Sequence, residues 1–161
     1  MEPLIITTAI TGAATVPTLT PHLPWRIQDI IDSAVSSAEA GAAIVHIHAR
    51  NPVDGSPSSS PEVFAEIMTG IKARSNVIIC MTTGGSPAMT VQERTANVAR
   101  FAPEMCSFNL GSMNFSLHPP LKRIKEWRFE WEPKYLEASK DFVFKNTFAD
   151  IEYILKTCSE N

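Results

Sequence analysis

Hydrophobic and polar positions follow two periods along the chain, and each period predicts a different kind of element. Short apolar runs rich in β-branched residues predict strands. Runs with apolar residues three or four positions apart predict helices. The predicted strands are Leu4–Ile10, Ala42–His48, Val77–Met81, Met105–Leu110 and Phe142–Phe144. Helical patterns separate these strands, so the chain is expected to repeat an α/β unit.

Sequence signals at helix ends set the expected bounds of these helices. Gly41 is placed to end the first one, and Pro61 to open the second at its first position. Thr90 with Glu93, and Thr147 with Asp150, match the spacing of a capping box. The expected helices are Trp25 to about Ala40, one from Pro61, one capped by Thr90, one from Pro119 or Pro120 to about Arg128, and a last one capped by Thr147.

Strands that alternate with helices predict a parallel sheet with right-handed crossovers. The strand starts near residues 4, 42, 77 and 105 are spaced as in a (β/α)8 TIM barrel, which needs about 250 residues. We expect residues 1–161 to be the N-terminal half of one such barrel domain, supplying the first four to five βα units. The alternative is a doubly wound open sheet. Against it, no Gly-x-Gly-x-x-Gly motif follows the first strand.

Composition narrows the classes of function and location. The formal net charge is −3 with no basic cluster, which argues against nucleic-acid binding. No apolar run approaches the ~18 residues of a membrane span, and the N-terminus lacks a basic signal-peptide region. The cysteines are odd in number, with no Cys-x-x-Cys pair. They indicate reduced core thiols in a cytoplasmic protein.

The apolar run that begins at Ala42 ends in two alternate histidines, His46 and His48. Alternate residues of a strand share one face, so both imidazoles are expected to point the same way. Such a pair forms half of a metal site, with zinc favoured and manganese, iron or cobalt as alternatives. Packed histidines whose ring nitrogens are satisfied by backbone carbonyls remain the other interpretation.

The other predicted strands also end in polar or glycine-rich residues, which in parallel α/β folds lie beside the active site. The turn after the third strand offers hydroxyl and backbone N–H groups that suit a carboxylate, or it is a plain βα turn. Arg50 is expected to pair with a carboxylate or phosphate, or to face solvent in its loop. The expected substrate-binding residues are Thr82, Thr83, Gly84, Gly85, Ser107, Asn109 and Arg50.

Four motifs in this order resemble those of the beta-keto acid cleavage enzymes, a family typified by 3-keto-5-aminohexanoate cleavage enzyme. The resemblance covers essentially the whole chain and implies a protein nearly twice as long. The motifs are Ile10-Thr11-Gly12-Ala13, Val45-His46-Ile47-His48-Ala49-Arg50, Thr82-Thr83-Gly84-Gly85 and Ser107-Phe108-Asn109-x-Gly111-Ser112-x-Asn114-Phe115.

The resemblance implies a metal-dependent acyltransferase that condenses a beta-keto acid with acetyl-CoA to give acetoacetate and a new acyl-CoA. It implies that His46 and His48 are zinc ligands. It implies that Thr82, Gly85, Ser107 and Asn109 bind the substrate carboxylate and nearby oxygens. A role in amino-acid catabolism and a homo-oligomer, a tetramer, are also implied. The family's third metal ligand and its acid–base residues would lie beyond Asn161, so these residues alone are expected to be inactive.

One departure bears on the substrate. Where the 3-keto-5-aminohexanoate enzyme has a glutamate that meets the substrate's amino group, this chain has Ala14. A different beta-keto acid, neutral or apolar, is therefore expected. Two other hypotheses stay open at this point: a non-catalytic half-barrel, and a small α/β protein that binds a metal or an anion.

Overall fold

The fold of the chain is given by a computed structural model, which describes residues 4–86 and 89–160. The elements in chain order are β1 (Thr7–Ala9), α1 (Ile27–Glu39), β2 (Ile44–Ile47), β3 (Ala49–Arg50), β4 (Pro57–Ser58), α2 (Pro61–Lys72), β5 (Ile78–Met81), α3 (Val91–Phe101), β6 (Met105–Cys106), β7 (Met113–Asn114), α4 (Trp131–Ala138), β8 (Val143–Phe144) and α5 (Phe148–Ser159). Short 3₁₀ turns cover Pro17–Leu19 and Pro119–Lys122.

The central feature is a four-stranded parallel sheet in the order β1-β2-β5-β6. Strands adjacent in the sheet are therefore also successive in the α/β series. Right-handed crossovers between such strands place every connecting helix on the same face. In a doubly wound sheet the strand order reverses part-way, which divides the helices between both faces. The predicted α/β class with a parallel sheet is confirmed.

The two faces of this sheet differ in what covers them. Val45, Ile47, Ile79 and Met81 point to the helices and join residues of α1, α2 and α3 in one hydrophobic core. The alternate positions point the other way, and of these Ile78 in β5 is 38% exposed. His46 belongs to this second face, where it pairs in register with Cys80.

The predicted helix ends are found for α1, α2, α3 and α5. Gly41 follows α1 with a φ of +104°, which suits glycine. Capping boxes are present at Thr90–Glu93 and at Thr147–Asp150. These signals depend on backbone groups only three residues apart, so the local sequence is enough to specify them.

The segment after β7 differs from the prediction. The helix expected from Pro119 or Pro120 to Arg128 is wrong: only the 3₁₀ turn Pro119–Lys122 forms. A helix forms instead at α4, where no helix is predicted from the sequence. Pro133 is compatible with it because it lies in the first turn, where a backbone N–H has no partner within the helix.

Strand bounds and pairings also correct the prediction. The strands of the parallel sheet are shorter than expected, and the segment expected as a fifth strand does not join them. Its residues 143–144 form β8, which pairs antiparallel with β7. Outside the predicted strands, Pro57–Ser58 forms β4, which pairs antiparallel with β3. Among the described residues, no helix has the length and apolar character needed to cross a membrane.

Candidate functional site

A cavity of about 250 Å³ lies at the carboxyl ends of the parallel strands. This is the position expected for a ligand site, because loops from several strands converge there. The structure brings most of the predicted site residues together. Those that line the cavity are His46, His48, Thr82, Gly84, Gly85, Ser107 and Asn109.

The two histidines converge through their Nε2 atoms, which lie 3.1 Å apart. Their rings are nearly perpendicular, with an interplanar angle of 88°. Two imidazole ligands on a tetrahedral zinc ion, each with a Zn–N distance of about 2.0–2.1 Å, place their nitrogens about 3.3–3.4 Å apart. The pair therefore needs only a small adjustment to share one cation.

The proton position on the His46 ring and the neutral state of both rings suit metal ligands. His46 Nδ1–H donates to the carbonyl oxygen of Cys80 at 3.1 Å, which leaves Nε2 of the same ring as a lone-pair atom. Burial, with the neighbouring charges of His46 and Arg50 as the smaller causes, lowers the pKa of His48 to about 3. Burial also lowers the pKa of His46, against the opposing effect of the Cys80 hydrogen bond. Both rings are neutral at pH 7, the form that binds metals.

The described residues supply this pair without a third protein ligand. Within residues 4–86 and 89–160, no group of three histidine, cysteine, aspartate or glutamate side chains could hold a metal ion. Catalytic zinc sites usually have three protein ligands. The residues present therefore fit half of such a site.

The turn after β5 forms the floor beside the histidines. The Thr82 hydroxyl accepts a hydrogen bond from Gly84 N–H at 2.9 Å and keeps its own O–H as a donor. A Cβ on Gly84 would lie 3.2 Å from that hydroxyl oxygen and 3.9 Å from His48 Cε1. Glycine at this position keeps the turn close to the histidines.

Thr83 has a different position from the one expected of a substrate-binding residue. It is fully buried and lies outside the cavity lining. Its hydroxyl donates to the Ser107 carbonyl oxygen at 2.6 Å, and its N–H donates to Ser107 Oγ at 3.0 Å. Thr83 therefore joins the end of β5 to the residue that follows β6, and holds Ser107 in place.

Replacing Thr83 with valine is expected to lower the free energy of unfolding by about 1–3 kcal/mol, because it leaves the Ser107 carbonyl without this donor. The shape of the side chain is nearly unchanged, so the effect reports the hydrogen bond. Urea unfolding monitored by circular dichroism measures it. Thr69→Val, at an exposed position on α2, is the control and should change stability by less than about 0.5 kcal/mol. Equal effects from the two variants would contradict the assignment.

Arg50 also has a position that corrects the prediction. It is fully buried rather than exposed in a loop, and it does not line the cavity. Its guanidinium donates to the carbonyl oxygens of Gly12, Thr15 and Gly55 and to the Thr11 hydroxyl, at distances between 2.8 and 3.2 Å. Burial lowers its pKa to about 10, so it remains charged at pH 7. Arg50 fixes the loop after β1 against the loop after β3.

The sequence prediction missed the opposite wall of the cavity. This wall is mainly aromatic and is made of Phe115, Leu117, Tyr135, Phe142 and Phe144. Phe115 and Leu117 follow β7, Tyr135 lies in α4, and Phe142 and Phe144 lie just before and within β8. Of these residues, only Phe115 stands in one of the four motifs. For the others, apolar character was the only signal, and it is equally typical of an ordinary core.

Two residues of the loop after β1 complete the cavity. Ala13 and Ala14 both line it. The Tyr135 hydroxyl donates to the Ala13 carbonyl oxygen at 3.0 Å, which ties α4 to this loop. Ala14 therefore adds an uncharged residue to the cavity lining.

A sequence profile of the family described as beta-keto acid cleavage enzyme matches residues 3–161 of the chain. The chain belongs to the beta-keto acid cleavage enzyme family. This confirms the resemblance that the four motifs indicated.

Individual relatives add detail. The chain is 54% identical over 158 residues to a 3,5-dioxohexanoate:acetyl-CoA acetone transferase from Paraburkholderia graminis, with 98% of this chain and 51% of the relative covered. It is 40% identical over 116 residues to a 3-keto-5-aminohexanoate cleavage enzyme from Acetoanaerobium sticklandii, with 71% of this chain and 42% of the relative covered. The chain thus spans about half the length of the curated relatives it matches.

One solved structure shares the fold. It is described as the ternary complex of ObcA with a C4-CoA adduct and oxalate. The TM-score is 0.50 at 18% identity, with 76% of this chain and 29% of that chain covered. At this identity the likeness concerns the fold alone.

Proposed function

We propose that the protein containing this chain condenses a beta-keto acid with acetyl-CoA. The reaction R–CO–CH₂–COO⁻ + CH₃–CO–SCoA gives acetoacetate and R–CO–SCoA. Family membership supports this reaction class, and both relatives named above are described by such chemistry or by cleavage of a keto acid. The observation that carries the proposal is the convergence of His46 and His48 Nε2 at the cavity that Thr82, Ser107 and Asn109 also line.

Half of a (β/α)8 barrel is the framework that we propose for this chain. Support comes from the sequential strand order, from the core that one face of the sheet forms with α1, α2 and α3, and from the partly exposed apolar residues on the other face. In a barrel that second face points inward and is covered by the other strands. The relatives' greater length is consistent with the further βα units that closure requires.

Within this framework the residues of the chain bind and orient the beta-keto acid. His46 and His48 would hold a divalent cation, most favourably zinc, together with a ligand from outside the described residues. When bound, such a cation supplies Lewis-acid polarisation of the keto oxygen. The Thr82 hydroxyl, whose oxygen accepts from Gly84 N–H, offers its O–H as a donor for the substrate carboxylate.

In this proposal the aromatic wall of the cavity determines which R group is accepted. Phe115, Leu117, Phe142 and Phe144 present apolar surface, and Ala14 adds no charge. An ammonium group in R would lose its hydration there without gaining a carboxylate partner from this part of the chain. An uncharged R, as in 3,5-dioxohexanoate, fits the wall better.

The test is an assay of the full-length protein with zinc, acetyl-CoA and a panel of beta-keto acids. We expect acetoacetate and a new acyl-CoA to form in equal amounts, with 3,5-dioxohexanoate preferred over 3-keto-5-aminohexanoate. Acetoacetate formation that does not depend on acetyl-CoA, or no turnover of any panel member, would overturn the reaction. Preference for the amino substrate would overturn only the proposed R group.

Replacing Ala14 with glutamate in the full-length protein is expected to shift the ratio of kcat/KM values towards 3-keto-5-aminohexanoate by at least about tenfold. A carboxylate at this position would pair with the substrate ammonium and would repel electron-rich carbonyl groups. Ala99→Glu, at an exposed position on α3, makes the same change in net charge away from the cavity. An equal shift in that control would show that overall charge, and not the cavity wall, sets the preference.

A further inference from the structure

Two cysteines distant in sequence lie in contact outside the cavity. Cys106 ends β6, Cys158 lies in the last turn of α5, and their Sγ atoms are 3.3 Å apart. Both residues are partly exposed, and both pack against the edge of the hydrophobic core. A disulfide requires an S–S distance of about 2.05 Å. The two sulfurs therefore need to approach by only about 1.2 Å.

We propose that Cys106 and Cys158 form a reversible redox pair whose disulfide links α5 to the end of β6. The oxidant is a small disulfide such as oxidised glutathione. The Cys158 thiolate attacks one sulfur of that disulfide, which forms a mixed disulfide and releases one glutathione thiol. The Cys106 sulfur then displaces the second glutathione, so two protein thiols and one glutathione disulfide give one protein disulfide and two glutathione thiols.

The order of these steps follows from the surroundings of Cys106. Burial raises the pKa of its thiol to about 12, with the hydrogen bond to Cys158 as the second cause. A thiol that rarely ionises is a poor first nucleophile. Its contact with Cys158 nevertheless places it to resolve a mixed disulfide formed there.

The third cysteine is placed differently. Cys80 in β5 is paired in register with Met105, and Met81 is paired with Cys106. Neighbouring residues of a strand point to opposite faces. Cys106 and Cys158 pack against the core that the helices share, whereas Cys80 belongs to the opposite face of the sheet, with His46. Cys80, which is buried and lies on the other face, therefore serves as an internal control.

The linkage would stiffen the edge of the candidate site. Ser107 follows Cys106 directly and accepts two hydrogen bonds from Thr83, while its own N–H donates to Met81 at 2.8 Å. A covalent bond at Cys106 would hold this strand end to α5. The bond would close a long loop, since the two residues are 52 positions apart, and long loops give the larger stabilisation in the chain-entropy description.

The test is to oxidise the purified protein with oxidised glutathione. Free thiols are then alkylated, and the peptides are mapped by mass spectrometry. We expect a Cys106–Cys158 cross-linked peptide that dithiothreitol removes, with Cys80 recovered as an alkylated thiol. We also expect the thermal midpoint of unfolding to rise by about 5–10 °C on oxidation. Cys158→Ala should abolish the cross-link and the rise, and Cys80→Ala should keep both.

Other results would overturn the proposal. These are a cross-link that includes Cys80, glutathione retained on Cys158 without closure, or a Cys158→Ala variant that shows the same rise as the unchanged protein. Because the readout is covalent and does not use turnover, it stands independently of the proposed acyl-transfer reaction.

Discussion

Replacing Arg50 with methionine is expected to lower the free energy of unfolding by about 3–5 kcal/mol, the largest stability effect we predict for this chain. The guanidinium is fully buried and serves three backbone carbonyl oxygens and one hydroxyl. Methionine fills a similar volume without donors, so those acceptors would be left unsatisfied at about 1–3 kcal/mol each before relaxation. Urea unfolding of the full-length protein, with stability taken from the linear extrapolation, measures the loss.

The matched control for this experiment is Arg74→Met. Arg74 pairs with Asp32 at the surface, where both side chains are about half exposed. Exposed ion pairs contribute about 0–1 kcal/mol, so the control should lose no more than that. If the two arginine variants lose the same stability, Arg50 does not hold the loops together as described. If Arg50→Met had normal stability, binding of a carboxylate or phosphate would again be the better explanation for Arg50.

Replacing His46 or His48 with alanine in the full-length protein is expected to remove bound zinc and to lower kcat/KM by more than about 100-fold. The reason is that loss of a group that only supports a metal ligand typically reduces metal affinity or activity by 10–100-fold, and loss of the ligand itself should have a larger effect. The two Nε2 atoms lie 3.1 Å apart, so each variant removes one of the two metal ligands that this chain would supply. Elemental analysis and steady-state kinetics measure the two quantities.

His22→Ala is the control for the histidine variants, since His22 is exposed and lies outside the cavity lining. It should keep about one zinc per chain and normal kinetics. Circular dichroism checks that the His46 and His48 variants remain folded. A folded His48→Ala protein that still holds one zinc per chain would refute the proposed metal site. Zinc loss with unchanged kcat/KM would instead show that the reaction does not require the metal.

The candidate site illustrates how far a motif can be interpreted. His46 and His48 alternate in a strand, so a period of two residues is enough to place both on one face, and the structure shows their Nε2 atoms in contact. Thr83 and Arg50 stand in motifs of the same kind. Their side chains nevertheless turn away from the cavity to satisfy buried backbone groups. A motif gives the position along the chain, whereas the choice between a ligand and a backbone partner depends on which groups the fold brings near.

The sequence by itself determined the elements whose signals are local. Capping boxes, the glycine after α1 and the period of apolar residues act over a few positions, and they specify α1, α2, α3, α5 and the alternation with strands. The family motifs likewise carried the membership that the profile match confirms.

Only the tertiary structure decided the features that join distant segments. It put α4 over the loop after β1, paired β8 with β7 instead of the parallel sheet, and assembled the aromatic wall of the cavity. It also brought Cys106 and Cys158 together across 52 positions. Such contacts depend on burial and on unmet hydrogen-bonding groups in the folded chain. These depend on the packing of the whole chain, which no short stretch of residues encodes.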